Sequence, residues 1–193
     1  MKTILFNAII ILFVFTSKTI AQDTTVTSGI FLTAKDFQHN KLIQEVDCEN
    51  DKAKFKTNKF FSKSSFDVLY KGKSITYKKK NIYAYRNCDN KVWRFYNDKE
   101  YQILEISGLY IYSARKIVMD GGIIEEEPLY YFSSTSNGDI KKLTLANLKL
   151  TFPTNQVYQN MLDSEFMNDT KIYRYDVIHK MYKVNYLLVQ SKK

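Results

Sequence analysis

Short stretches that alternate between apolar and polar residues occupy the chain from residue 28 to residue 142. Turn-forming residues separate these stretches, at Gly72, Asp89-Asn90, Asn97-Asp98, Ser107-Gly108 and Asn137-Gly138. A period of two is typical of β-strands, and turn residues between such stretches favour hairpins. Because no helical period separates the strands, we expect them to pair antiparallel in a meander.

The longest of these strands is predicted to run from Leu109 to Val118, and the turn Asp120-Gly121-Gly122 closes it. Residues 123–128, which include Glu125 to Glu127 before Pro128, are predicted to form a solvated loop. Near the start of the strand, alternation places leucine and isoleucine on one face and tyrosines on the other. Both faces are therefore apolar, and we expect this strand to be covered on both sides.

The last third of the chain changes to a period near 3.6, which is typical of helices. Helices are predicted after the capping residues Thr144, Thr154 and Asp169, over residues 145–152, 155–167 and 171–189. One stripe of the third helix consists of Tyr173, Val177, Met181, Val184 and Leu188. The predicted fold class is therefore α+β: an antiparallel β-meander or partly closed barrel, followed by C-terminal helices packed on one face.

The first residues have the pattern of a cleavable secretory signal. Lys2 is followed by the apolar run 4–15 and then by Thr19-Ile20-Ala21. The run is too short for a bilayer-spanning helix, which needs about twenty residues. We expect cleavage after Ala21, no transmembrane anchor afterwards, and export to the periplasm, the cell envelope or the extracellular space. The mature chain is predicted to be one α+β domain over residues 22–193, mainly β over 28–142 and mainly α over 143–190.

Export changes how the charge is interpreted. The chain has a formal net charge of +9, and only Arg86, Arg94, Arg115 and Arg174 are arginines. Proteins that grip phosphates in a fixed geometry use the bidentate arginine fork, whereas an excess of lysine attracts anionic surfaces loosely. Since an exported protein does not normally meet nucleic acid, we exclude nucleic acid as a partner.

Lysines cluster around the Gly72 turn, interleaved with Ile75 and Tyr77: Lys71, Lys73, Lys78, Lys79 and Lys80. Upstream, Lys52, Lys54 and Lys56 alternate, so that one face of an extended segment carries them. The cluster predicts contact with an anionic glycan, lipid headgroup or polymer, and a solvated hairpin is the alternative.

These patterns favour an exported, non-enzymatic envelope or extracellular protein that binds an unknown protein or an anionic envelope component. A hydrolase with a carboxylate pair hidden in the fold is one alternative, and a barrel that holds a small apolar ligand is another.

No catalytic, cofactor-binding or metal-ligating residues are predicted. HExxH, paired CxxC motifs and nucleotide-binding glycine loops are missing, and His39 and His179 are the only histidines. Alternating acids over residues 45–51 resemble the start of a calcium loop, but Lys52 occupies the place of the required glycine. We expect a solvated face there, with an irregular calcium site as the alternative.

Cys48 and Cys88 are the only cysteines, and each follows a predicted strand at the start of a turn. Because export places them where oxidation is normal, we expect a disulfide between them, and two buried free thiols are the alternative.

Several segments together resemble a group of small secreted bacterial proteins of unknown function. They are GIFLTAKDF at residues 29–37, Gly72-Lys73, YAYRNC at 83–88, WRFY at 93–96 and YDVIHKMYKVN at 175–185. The resemblance covers about residues 29–190 and implies secretion from a Gram-negative cell and a single α+β unit. It implies no activity, cofactor or catalytic residue.

Overall fold

The structure is a computed structural model that describes residues 27–48, 54–56, 63–120 and 123–192. The predicted signal segment and its cleavage site lie outside these residues, as do Glu49 and Asp51 of the acidic alternation. Strands β1 to β11 follow one another in the chain as Thr27–Phe31, Ile43–Asp47, Lys54–Lys56, Ser65–Tyr70, Lys73–Lys78, Ala84–Arg86, Val92–Tyr96, Lys99–Glu105, Tyr110–Asp120, Ile123–Ser133 and Lys141–Lys142.

Eight of these strands form one open antiparallel sheet in the order β11-β10-β9-β8-β7-β6-β1-β2. From β6 to β11 every strand pairs with its neighbour in the chain, so the predicted meander is confirmed for this part. The first strand departs from it, because β1 lies between β2 and β6, with Ile30 opposite Tyr85. The edges β2 and β11 do not pair with each other, so the sheet is open and the partly closed barrel is wrong.

Two-residue turns determine the register of two hairpins. Lys71 and Gly72 join β4 to β5, and Asn97 and Asp98 join β7 to β8. All four residues have positive φ angles, of 48°, 75°, 49° and 60°. Positive φ at both central positions is the requirement of the type I′ turn, whose twist matches that of the paired strands.

The second sheet, which we call the small sheet, consists of β3, β4 and β5 with β4 in the centre. Phe66 and Val68 on its inner face are buried against Ile30, Tyr85 and Phe95 of the large sheet. Ring centroids of Phe66 and Phe95 lie 4.8 Å apart. Aromatic burial of this kind is a large favourable contribution, so the small sheet is held as part of the domain core.

The α-helices are α1 (Ala34–Gln38), α2 (Leu145–Thr151), α3 (Gln156–Glu165) and α4 (Lys183–Gln190). Helices α2 to α4 cover the other half of the same face, whereas α1 packs against Phe31 on the opposite face. The Thr144 hydroxyl caps α2 by accepting from the Asn147 N–H at 3.1 Å, as the sequence predicted. Asn155, not Thr154, caps α3. The helices α2 to α4 pack with the sheet in one core, formed by Leu109, Ile111, Phe132, Leu143, Leu148, Tyr158, Leu162, Phe166, Ile172, Val184, Leu187 and Leu188.

Strand β9 is covered on both faces, as its alternation predicted. Ile111 packs in the helical core, and its neighbour Tyr112, on the opposite face, is also fully buried. The C-terminal helices α2 to α4 therefore contact one face of the sheet, as predicted. On the other face, the Tyr112 hydroxyl meets Arg94 and Ser133, which lie on neighbouring parts of the same sheet.

The predicted third helix over residues 171–189 is wrong for most of its length. The segment contains a 3-10 turn (Asp169–Lys171), a short hairpin of β12 (Tyr175–Asp176) and β13 (Met181–Tyr182), and only then α4. The Asp176 carboxylate accepts from the His179 N–H at 3.1 Å, and this local bond competes with helix formation. Val184 and Leu188 of the predicted stripe are buried, whereas Tyr173 and Val177 are exposed and Met181 is half-buried.

The predicted loop over residues 123–128 is also wrong, because β10 runs from Ile123 to Ser133. Its backbone continues the pairing with β9, and Glu127 lies directly opposite Lys116. Opposite charges at facing positions favour a strand pair. Pro128 is tolerated because β10 pairs with β11 only at Tyr131 and Phe132, which leaves an edge at the proline.

Candidate binding surfaces

The lysines predicted to form one anionic contact are dispersed. Lys73 and Lys78 stand at opposite ends of β5, an odd number of positions apart, so their side chains leave opposite faces of the strand. Lys71 belongs to the turn between β4 and β5, where its ammonium lies 5.0 Å from the Tyr70 ring centroid. Lys80 is exposed in the following 3-10 turn. These residues do not converge on one bound group.

Lys79 must be removed from the predicted surface, because only 3% of it is exposed. Its ammonium lies 3.1 Å from the Glu100 carboxylate and donates to the Asp98 carbonyl at 3.0 Å. The 3-10 turn directs the side chain inward, toward the hairpin between β7 and β8. Alternation along β5 does not extend into that turn, so the sequence did not distinguish Lys79 from its exposed neighbours.

A different set of lysines shares one surface. The register of the small sheet places Lys54, Lys56 and Lys78 on the face opposite the buried Phe66 and Val68. All three lysines are exposed. We call them the outer basic face. The alternation of Lys54 and Lys56 along the sequence was the signal that indicated it.

Little negative charge opposes these lysines within the described part of the small sheet. Asp67 is the acid on that face, opposite Lys56 in the register, and it accepts from the Thr76 hydroxyl at 2.6 Å. Among the described residues, no carboxylate lies within ion-pair distance of Lys54, Lys56 or Lys78. The outer basic face is therefore a local excess of positive charge.

The predicted disulfide between Cys48 and Cys88 is confirmed. Their Cα atoms lie 5.5 Å apart, within the normal range for a disulfide, and the two residues are separated by 40 positions. The bond joins the end of the edge strand β2 to the turn between β6 and β7. Disulfides persist in oxidising compartments, so this bond is consistent with one.

A buried arginine is the main polar feature that the sequence did not indicate. Arg94 on β7 is only 4% exposed. Its guanidinium donates to the Tyr112 hydroxyl at 2.8 Å and to the Gly138 carbonyl at 2.9 Å. It also lies over the rings of Tyr83, Tyr96 and Tyr112, at 5.3 to 5.7 Å from their centroids. We call this group the arginine–tyrosine cluster.

The arginine–tyrosine cluster has the chemistry of a structural site. Burial raises the pKa of the Tyr112 and Tyr83 hydroxyls above the ordinary value of about 10, so both remain protonated at neutral pH. Protonated phenols do not act as bases or nucleophiles. The cluster instead holds the segment after β10, because Tyr83 donates to the Ser136 carbonyl at 2.9 Å while Arg94 holds Gly138.

At the other end of the domain, the hairpin of β12 and β13, which we call the C-terminal hairpin, is closed by an ionic contact. The Asp176 carboxylate lies 2.9 Å from Nδ1 of His179 and 3.2 Å from the Lys183 ammonium. These partners, His179 first, hold the pKa of Asp176 well below its usual range. The His179 ring in turn stacks on Tyr186 of α4, with centroids 3.9 Å apart.

Glu105 anchors the C-terminal hairpin to the large sheet. Its carboxylate accepts from the Tyr182 N–H and from the Asn185 side-chain amide, each at 2.6 Å. The buried Asn185 also accepts from the Leu109 N–H at 2.7 Å. Two elements far apart in sequence are thus joined by buried or half-buried hydrogen bonds, which fix the position of the hairpin.

A pocket of about 170 Å³ lies beside α2, lined by Phe132, Ser134, Asp139, Lys141 and Thr151. Four of these five residues are polar, which is unlike the apolar cavity expected for a small apolar ligand. Across the described ranges, no group of three or more histidine, cysteine or acidic side chains is placed to hold a metal ion. The acids suggested for an irregular calcium site lie partly outside those ranges.

Comparisons with protein-family models, curated proteins and solved structures found no match for this chain. In the part of the chain that the structure describes, no helix is long and apolar enough to cross a bilayer. Function is therefore inferred from the chemistry of its own surfaces.

Proposed function

We propose that this chain is an exported, non-enzymatic protein that binds an anionic component of the cell envelope through the outer basic face. The observation that supports the proposal most directly is the shared exposure of Lys54, Lys56 and Lys78 without carboxylate partners among the described residues. The disulfide supports export, because such bonds persist in oxidising compartments.

The geometry favours loose attraction over a specific pocket. Neighbouring strands of a sheet lie about 4.8 Å apart and alternate residues about 6.6 Å apart, so these lysines spread over a flat patch. Each ammonium is a flexible point charge that does not require a fixed orientation of its partner. We therefore expect binding to densely charged lipid or polymer surfaces, and steep screening by salt.

The test compares a triple variant, Lys54→Glu with Lys56→Glu and Lys78→Glu, with the unchanged protein. Binding is measured by co-sedimentation with phosphatidylcholine vesicles that contain or lack phosphatidylglycerol, and by retention on immobilised dextran sulfate. Near an anionic surface each lysine contributes about 1 kcal/mol, and each glutamate adds repulsion, so the variant should bind at least about a hundredfold more weakly at low salt.

A matched control removes the same charge elsewhere. Lys35, Lys91 and Lys142 are also exposed, on α1, before β7 and on β11, and are changed together to glutamate. The control variant should keep most of its affinity for both probes. An equal loss in both triple variants would show that net charge alone governs binding, and would overturn the assignment to the outer basic face.

A further inference from the structure

The tip of the C-terminal hairpin exposes two adjacent aliphatic side chains. Val177 is 78% exposed and Ile178 is 88% exposed, whereas the strands on either side are partly packed. Asp176 pairs with Met181, so residues 177–180 form a four-residue turn that carries both side chains outward. Transfer of these two side chains from water to an apolar environment would be favourable.

The turn is held in place and does not collapse onto the domain. His179 and Lys183 bind Asp176 at its base, and Tyr182 is fixed by Glu105. Lys183 also donates its N–H to the Arg174 carbonyl at 2.9 Å, which closes the hairpin below the turn. A preorganised tip loses little conformational entropy when it binds.

The surroundings of the tip combine cations with amphipathic rings. Lys180 within the turn and Lys171 nearby in the chain are exposed. Tyr173 and Tyr175, which precede the tip, are 45% and 49% exposed. Tyrosine is enriched where apolar and aqueous phases meet, and lysine is attracted by lipid phosphates.

We infer that Val177 and Ile178 insert into the headgroup region of a lipid bilayer, with Lys180 and the tyrosines at the lipid–water interface. A bilayer fits better than a protein, because stable protein interfaces bury about 800 Å² on each partner and two aliphatic side chains supply far less. Interfacial insertion needs only a small apolar surface that enters about 5–10 Å, together with attraction of cations to the headgroups. This inference does not depend on the outer basic face.

A tryptophan at the tip reports insertion directly. Because Trp93 is the only native tryptophan, the probe Ile178→Trp is built together with Trp93→Phe. Mixed phosphatidylcholine–phosphatidylglycerol vesicles should shift its emission to shorter wavelength, and lipids brominated near the headgroup should quench it. Leu150, which is 75% exposed on α2, provides the matched probe Leu150→Trp in the same background, and its emission should not change.

Affinity is measured with Val177→Ser and Ile178→Ser, whose side chains are exposed and therefore should not disturb folding. We expect vesicle binding to weaken about tenfold or more in the double variant, since the aliphatic carbons lose their burial in lipid. Unchanged emission of the Ile178→Trp probe with vesicles, or an equal response from Leu150→Trp, would overturn insertion.

The outcome is separable from that of the outer basic face. If only the tip inference fails, retention on dextran sulfate still depends on the outer basic face, and the emission of the Ile178→Trp probe does not shift with vesicles. If only the basic-face proposal fails, the triple lysine variant matches its control but the tip probe still shifts with lipid.

Discussion

Removing the Arg94 side chain should destabilise the fold strongly, although this residue forms no ion pair among the described residues. The change Arg94→Ala deletes charge-assisted hydrogen bonds to Tyr112 and to the Gly138 carbonyl, each worth about 1.5–3 kcal/mol. It also opens a cavity among tyrosine rings. Because Tyr112 keeps Ser133 as a partner at 2.8 Å, we expect a total loss of about 3–5 kcal/mol in the free energy of unfolding.

The variant Arg94→Met separates the two causes. Methionine fills much of the space, and since no acid is left with an unpaired buried charge, the loss should fall to about 1–2 kcal/mol. Urea unfolding of the oxidised protein, followed by the fluorescence of Trp93 on the same strand, measures both variants. A loss below about 1 kcal/mol for Arg94→Ala would refute the buried position of this side chain.

Three further expectations concern covalent closure and titration. Replacing Cys48 and Cys88 by serine should lower the free energy of unfolding by about 4 kcal/mol, as chain entropy predicts for a separation of 40 residues; an unchanged urea midpoint would contradict this. Burial raises the pKa of Tyr182 to about 12. The contribution of this residue to the free energy of unfolding should therefore be fully present below the ordinary pKa of about 10 and be lost as pH rises through about 12. Urea unfolding in alkaline buffers measures it. The pKa of Asp176 is depressed, so the contribution of this carboxylate to the free energy of unfolding should be present above the ordinary pKa of about 3.9 and be lost only as pH falls well below it. NMR titration of the hairpin amides checks this. The change Asp176→Asn should loosen the hairpin at neutral pH.

Features governed by residues close in sequence could be predicted well. The turns at Gly72 and Asn97-Asp98 and the cap at Thr144 are confirmed, because each depends on backbone preferences within a few residues. The disulfide could be predicted for a different reason, since the chain has no other cysteines to pair.

The errors arise where distant contacts or competing local bonds decide the structure. The insertion of β1 between β2 and β6 depends on a pairing far along the chain, which alternation does not encode. The third predicted helix failed because Asp176 binds the backbone of His179 and makes a turn inside a stretch with helical spacing.

The same limits apply to the candidate surfaces. Lys79 resembled its neighbours in sequence, and only its inward path to Glu100 distinguishes it. Arg94 alternates with Trp93 and Phe95 as an exposed residue would. Its burial follows from Tyr83, which precedes β6, from Tyr112 of β9, and from the loop that it holds. Sequence spacing locates charges along a strand but does not show what covers them.

The position of β1 in the sheet has a kinetic consequence. The strands from β6 to β11 form by local hairpin closure. By contrast, β1 must pair with β6 although the strands of the small sheet lie between them in the sequence. Loop-closure entropy and high contact order make such a pairing slow. A chain synthesised from its N-terminus would therefore hold β1 beside β2 with an unpaired edge until β6 had followed. We expect the hairpin of β1 and β2 to be the last part of the sheet to join, and so the segment most exposed to chaperones and proteases during maturation.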